Sequence, residues 1–97
     1  MEIFESKDQY GQTALHKAVG LNNRDAVEYL LYEFPHLVHE TDNEGKTPLH
    51  YAAKDENMHS FLIRNGANES MTDFKGRTVS FYQNHPNEMD PRNLRYD

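Results

Sequence analysis

Three segments of this chain repeat one pattern. Asp8-Gln9-Tyr10-Gly11-Gln12-Thr13-Ala14-Leu15-His16-Lys17-Ala18 aligns with Asp42-Asn43-Glu44-Gly45-Lys46-Thr47-Pro48-Leu49-His50-Tyr51-Ala52-Ala53, and more loosely with Asp73-Phe74-Lys75-Gly76-Arg77-Thr78-Val79-Ser80-Phe81-Tyr82. Asp8 and Asp42 lie 34 residues apart, Asp42 and Asp73 31 apart. Self-similarity at such periods marks a solenoid, whose units bury their apolar faces against neighbours rather than around one central core.

The shared pattern, Asp-x-x-Gly-x-Thr-Pro-Leu-His-x-Ala, has a local reading. Asp bonds nearby backbone amides in a tight turn, and Gly supplies the positive φ there. Thr caps a helix, and Pro fits the first helical position, where its missing N–H has no partner in any case. After the first pattern Asn22-Asn23 breaks the chain, and Asp25 to Tyr32 predicts a second helix with Ala26, Val27, Leu30 and Leu31 on its apolar face. Phe34-Pro35 stops it. In the second unit Glu56 to Arg64 predicts the matching helix, with Met58, Phe61, Leu62 and Ile63 turned inward and Asn65-Gly66 as its left-handed stop. The connection between the two helices of that unit is two residues short.

These residues resemble ankyrin repeats. Thr47-Pro48-Leu49-His50-Tyr51-Ala52-Ala53 matches the Thr-Pro-Leu-His-x-Ala-Ala signature at every fixed position, Thr13-Ala14-Leu15-His16-Lys17-Ala18 departs at Ala14, and Asn65-Gly66-Ala67-Asn68 is similar to the family's closing loop. The resemblance covers roughly residues 3–84 and implies an all-α solenoid of about 2.5 repeats, each a turn plus an antiparallel helix pair. The expected units are residues 8–41, 42–72 and a partial 73–84 within a repeat domain 1–84, with 85–97 as cap or irregular tail. Ile3 to Lys7 looks like the closing loop of a preceding unit. Phe34-Pro35-His36 replaces the usual Gly-Ala-Asp, and His85-Pro86 interrupts the third unit's helix. The resemblance also implies a structural hydrogen bond from His16 and His50 to the neighbouring Thr turn.

Composition narrows the function classes. Hydrophobic residues are 36% of the chain, which a solenoid tolerates because it buries only a strip between neighbours. The formal charge of −6 weighs against nucleic acid, whose phosphates require a basic face. No apolar run approaches the roughly 20 residues of a membrane span, and no secretory signal is visible. With zero cysteines there is no disulfide or thiolate site, which fits a reducing intracellular compartment, cytoplasmic or nuclear.

The side chains suggest recognition rather than chemistry. His36-x-x-His39 with Asp42 could converge on zinc or act as a pH-responsive element, but a solvated loop is the ordinary reading, so no metal and no cofactor are expected. No serine elbow, glycine-rich phosphate loop or His-Glu-x-x-His helix occurs, so the chain is not expected to be an enzyme. By the resemblance, turn tips and the exposed side of each first helix form a concave face. Its expected partner-binding residues are Tyr10, Gln12, Lys17, Glu44, Lys46, Tyr51, Phe74, Lys75, Arg77 and Tyr82, with Gln9 and Asn43 beside them. Aromatics and arginine are the types enriched in binding hot spots. The implied function is a non-enzymatic scaffold that binds another protein through this face. The alternative is a structural subunit, or part of a longer ankyrin chain, packed into an assembly through its open ends, where Leu15, Val27 and Leu31 lack a neighbour.

Overall fold

The computed structural model describes residues 7–85. Among them the chain forms five α-helices and a 3-10 turn with no strand: α1 Ala14–Gly20, α2 Arg24–Glu33, the 3-10 turn Pro35–His39, α3 Pro48–Tyr51, α4 Glu56–Arg64 and α5 Val79–Asn84. The expected closing loop at residues 3–6 and the tail from residue 86 onward lie outside the described residues.

Each unit opens with the same turn. Asp8, Asp42 and Asp73 each accept two backbone amides on Oδ1, from Tyr10 and Gln12, from Glu44 and Lys46, and from Lys75 and Arg77, at 2.8–2.9 Å. The carboxylate thereby satisfies amides that the tight turn leaves without backbone partners. Gly11, Gly45 and Gly76 take φ of +77°, +80° and +78° in these turns. Thr13, Thr47 and Thr78 then cap α1, α3 and α5, each hydroxyl accepting the backbone amide three residues on.

Consecutive turns are joined by the backbone. Asn43 N donates to Tyr10 O at 3.0 Å and Phe74 N donates to Glu44 O at 2.9 Å. A Cβ on Gly11 would lie 2.6 Å from Asn43 N, and one on Gly45 would lie 2.8 Å from Phe74 N, whereas one on Gly76 would meet nothing within 4 Å. The first two glycines therefore serve both the turn and the close approach of the next one.

The core is a strip running through the units. Leu15, Val27, Leu30, Leu37, Leu49, Met58, Leu62 and Val79 are all buried in one cluster. Leu15, Val27 and Leu31, expected at an uncovered end, are buried as well. On α4, Met58 and Leu62 are buried while Phe61 and Ile63 are only half-buried. The segment after α2 curls into the 3-10 turn and drives Leu37 and Val38 inward, so the Phe34-Pro35-His36 departure adds core. After α4 the chain leaves through a left-handed Gly66 at φ +99°, with Ala67 N donating to Leu62 O and Gly66 N to Ile63 O.

The shorter second period has a definite location. Thr13 precedes the start of α2 by 11 positions, but Thr47 precedes the start of α4 by only 9. The missing pair comes out of the inner helix itself, since α1 has 7 residues and α3 has 4.

A left-handed residue with a Cβ costs about 1 kcal/mol wherever it stands. Gly76→Ala is expected to lose about that much, and Gly45→Ala at least about 2 kcal/mol because the Phe74 backbone must also move. Urea denaturation of the two variants checks this, and equal losses would refute the role of turn stacking.

Candidate functional site

Position nine after each turn Asp decides what the inner face presents. It holds Lys17, Tyr51 and Tyr82, and each returns to the second oxygen of its own turn aspartate. Lys17 Nζ lies 2.9 Å from Asp8 Oδ2, Tyr51 Oη donates to Asp42 Oδ2 at 2.5 Å, and Tyr82 Oη donates to Asp73 Oδ2. Burial pushes the Asp8 carboxyl up, but Lys17 and the two turn amides outweigh it and hold it below its ordinary value. Burial likewise opposes ionisation of Asp73, and the Tyr82 hydrogen bond, the turn amides and the Lys46 charge win. Burial, then the neighbouring carboxylate, pushes the Tyr51 hydroxyl far up and Tyr82 to about 12.

Position four after each Asp reaches forward to the next unit. Gln12 Nε2 donates to Tyr51 Oη at 3.0 Å. Lys46 Nζ pairs with Glu44 Oε1, lies 4.0 Å from Asp73 Oδ2 and stands 5.7 Å from the Tyr82 ring centroid. These contacts form a buried polar ladder: Gln12 to Tyr51 to Asp42, then Lys46 to the Tyr82–Asp73 pair. In the third unit Arg77 lies over the rings of Phe81 and Tyr82, at 4.6 and 5.9 Å.

The ladder corrects the expected face. Gln12, Lys46, Tyr51 and Tyr82 are 2%, 1%, 8% and 1% exposed, so their side chains are held inside the protein and do not stand as surface anchors. The reason is the paired need of a buried carboxylate for donors and of a buried hydroxyl for an acceptor. The spacing Asp-x8-Tyr, present at Asp42–Tyr51 and Asp73–Tyr82, is the sequence signal that carries it. Lys17 is half-buried and paired, and Arg77 is half-buried on its rings. What remains outward is the row of turn tips: Gln9, Asn43, Glu44 and Lys75 exposed, Tyr10 half-buried, and Phe74 77% exposed. The row is fixed by the inter-turn backbone bonds and by Asn43 Nδ2 donating to Gln9 O at 3.0 Å.

Behind the ladder two histidines tie unit to unit. Thr13 N donates to His16 Nδ1 at 3.1 Å, so that nitrogen is an acceptor and the ring proton stands on Nε2, which donates to Lys46 O at 2.9 Å. His50 repeats this with Thr47 N at 3.1 Å and Arg77 O at 3.1 Å. Both rings must stay neutral to keep both bonds. Burial lowers both pKa values, against the raising effect of the accepting carbonyls. The corresponding third position is Phe81, which has no donor.

Among the described residues no three His, Asp or Glu side chains are placed to hold a metal ion, and Asp42 is occupied by Glu44, Lys46 and Tyr51. His36 and His39 flank the inward Leu37 and Val38 on the exposed side of the 3-10 turn. A cleft of about 540 Å³ beside the α3–α4 connection is lined by Ala53, Lys54, Glu56 and Gln83, with no serine, threonine or histidine. Among the described residues no helix is long and apolar enough to cross a membrane.

Comparison with known proteins agrees with this architecture. Residues 2–73 match the family model described as ankyrin repeats in three copies. A leucine-rich repeat serine/threonine-protein kinase of Caenorhabditis elegans is 45% identical over 42 residues, 43% of this chain and 2% of its own length. An ankyrin repeat protein of Acanthamoeba polyphaga mimivirus is 41% identical over 58 residues, 55% of this chain and 7% of its own. A transcription factor of Kluyveromyces lactis is 39% identical over 49 residues, 48% of this chain and 6% of its own. The chain thus spans less than a tenth of each of these relatives.

Two outcomes are expected. The histidines are neutral in the folded state and protonate when unfolded, so stability is full above about pH 6.5 and falls below it, by up to about 1.4 kcal/mol per pH unit for each ring. The tyrosines ionise first in the unfolded chain, so stability also falls as pH rises above about 10. Melting temperature against pH checks both, and a profile flat from pH 7 to pH 5 would contradict the bridges. Separately, Tyr51→Phe leaves Asp42 and Gln12 without the hydroxyl and is expected to cost roughly 1–3 kcal/mol in urea unfolding.

Proposed function

The chain belongs to the ankyrin repeat family, whose members are generally protein–protein interaction modules, and on that premise we propose that its row of turn tips binds a partner protein without chemistry. The observation that supports this is the exposure of Phe74, at 77%, in a row whose backbone is already fixed. A large apolar ring held in place before binding loses little conformational freedom on contact. Tyr10, Glu44 and Lys75 stand in the same row of tips and add a second aromatic and both charge signs, the residue types of a hot spot with a polar rim. The units 8–41, 42–72 and 73–84 then act as one scaffold, each contributing a tip. Gln12, Lys46, Tyr51 and Tyr82 support the face from below instead of touching the ligand.

A second reading is docking through the first unit's end. Tyr32 at 83% and Tyr29 at 52% exposure on α2 favour it.

The test separates contact from support. With a partner identified by affinity purification, calorimetry is expected to show Phe74→Ala weakening binding by about tenfold or more with the melting temperature nearly unchanged. Tyr51→Ala is expected to lower the melting temperature itself. Undiminished binding by a Phe74→Ala, Lys75→Ala double variant would overturn the turn-tip reading.

A further inference from the structure

Of the asparagines in this sequence only Asn65 is followed by a glycine. A glycine amide carries no side chain to shield it, so its nitrogen can reach the side-chain carbonyl carbon of the preceding asparagine and close a five-membered imide. After any other asparagine here, a Cβ on the next residue hinders that closure. Asn65 and Gly66 are both exposed where α4 ends. A Cβ on Gly66 would meet nothing within 4 Å, so water has open access to the pair.

The folded chain holds the pair out of reaction. Gly66 N donates to Ile63 O at 3.1 Å, and Asn65 Nδ2 donates to Phe61 O at 2.8 Å. Both bonds must break before the nitrogen can attack and the amide can leave. Closure also needs the Gly66 nitrogen on the Cβ side of the Asn65 Cα–C bond, and a ψ of +19° turns it away. All these contacts lie at the last turn of α4, and helix ends open more readily than helix interiors.

We propose that Asn65–Gly66 is a self-modification site gated by the fold, which converts opening of the α4 end into a permanent covalent change. In the opened turn the Gly66 nitrogen bonds to Asn65 Cγ, the Cγ–Nδ2 bond breaks, and Nδ2 leaves as ammonia with the proton given up by Gly66. Water then opens the imide. Cleavage of the new N–Cγ bond leaves aspartate. Cleavage of the original peptide C–N bond leaves isoaspartate, with the backbone routed through Cβ. Either product lacks the donor to Phe61 O and sets a carboxylate at the negative end of the helix. Isoaspartate also lengthens the path to Ala67, whose amide donates to Leu62 O at 3.0 Å. From there residues 67–72 lead to the third turn, which is stacked through Phe74 N on Glu44 O. The inference is independent of what the turn tips bind.

The test incubates the full chain, and a peptide of residues 61–70, at mildly alkaline pH and follows Asn65 by peptide mapping with mass spectrometry. The peptide is expected to convert at least about tenfold faster, because the folded chain reacts only while its helix end is open. Urea below the unfolding midpoint is expected to speed the chain in step with hydrogen exchange of the Gly66 amide. Asn65→Gln, whose ring would be six-membered, is expected to abolish the product. Asn65→Asp is expected to speed exchange of the Ala67 and Phe74 amides relative to that of Asn43. Equal rates for the peptide and the folded chain would overturn gating by the fold. An unconverted Asn65 in urea, while the peptide converts, would overturn the site. Unchanged exchange at Ala67 and Phe74 in Asn65→Asp would overturn the link to the third turn.

Discussion

The stack depends on a ring that bonds in two directions. His16 receives the cap amide of its own helix on one nitrogen and gives its proton to the next unit's turn with the other. One side chain thereby orders a helix start and fixes the distance to its neighbour. His50 does the same one unit on. The bond from the cap amide does not survive protonation of the ring, because a protonated Nδ1 cannot accept. The fold is thus sealed by a neutral imidazole in a dry interface, and leucine burial on either side keeps it dry.

Local chemistry was legible in the sequence because it is local. Asp, Gly and Thr at fixed spacing specify the turns and caps through contacts no more than five residues long, and Glu56 to Arg64 forms the helix its periodicity predicts. The missing residues of the second unit were also visible, though not that they come from the inner helix and leave α3 a single turn. The burial of Lys46 was hidden. A lysine at a turn reads as exposed, and only Glu44, Asp73 and the Tyr82 ring, the last two from the next unit, make an interior place for it. Tyr51 and Tyr82 read as surface aromatics for the same reason, since the aspartate that takes each hydroxyl is nine positions back.

That outcome separates two jobs that the repeat pattern alone leaves merged. The ladder beneath the tips uses polar side chains for cohesion between units, in a protein whose apolar strip is thin. The tips above it are held by backbone bonds and leave their side chains outward. A mutation in the ladder acts first on stability, and, on the proposed reading, one at a tip acts first on contact. Phe74 joins the two layers, since its amide closes the turn stack while its ring faces out.

The single-turn α3 makes the array a ruler with unequal divisions. At about 1.5 Å per residue, the wall that α3 offers is roughly 4.5 Å shorter than that of α1. A segment running from the tips down the inner helices meets full depth at the first unit and an early drop at the second. Sliding such a segment by one unit would misplace it against a step of different height. A segment bound as proposed, along the tips and inner helices, would therefore find one alignment on the irregular period, where a perfectly regular array would offer several.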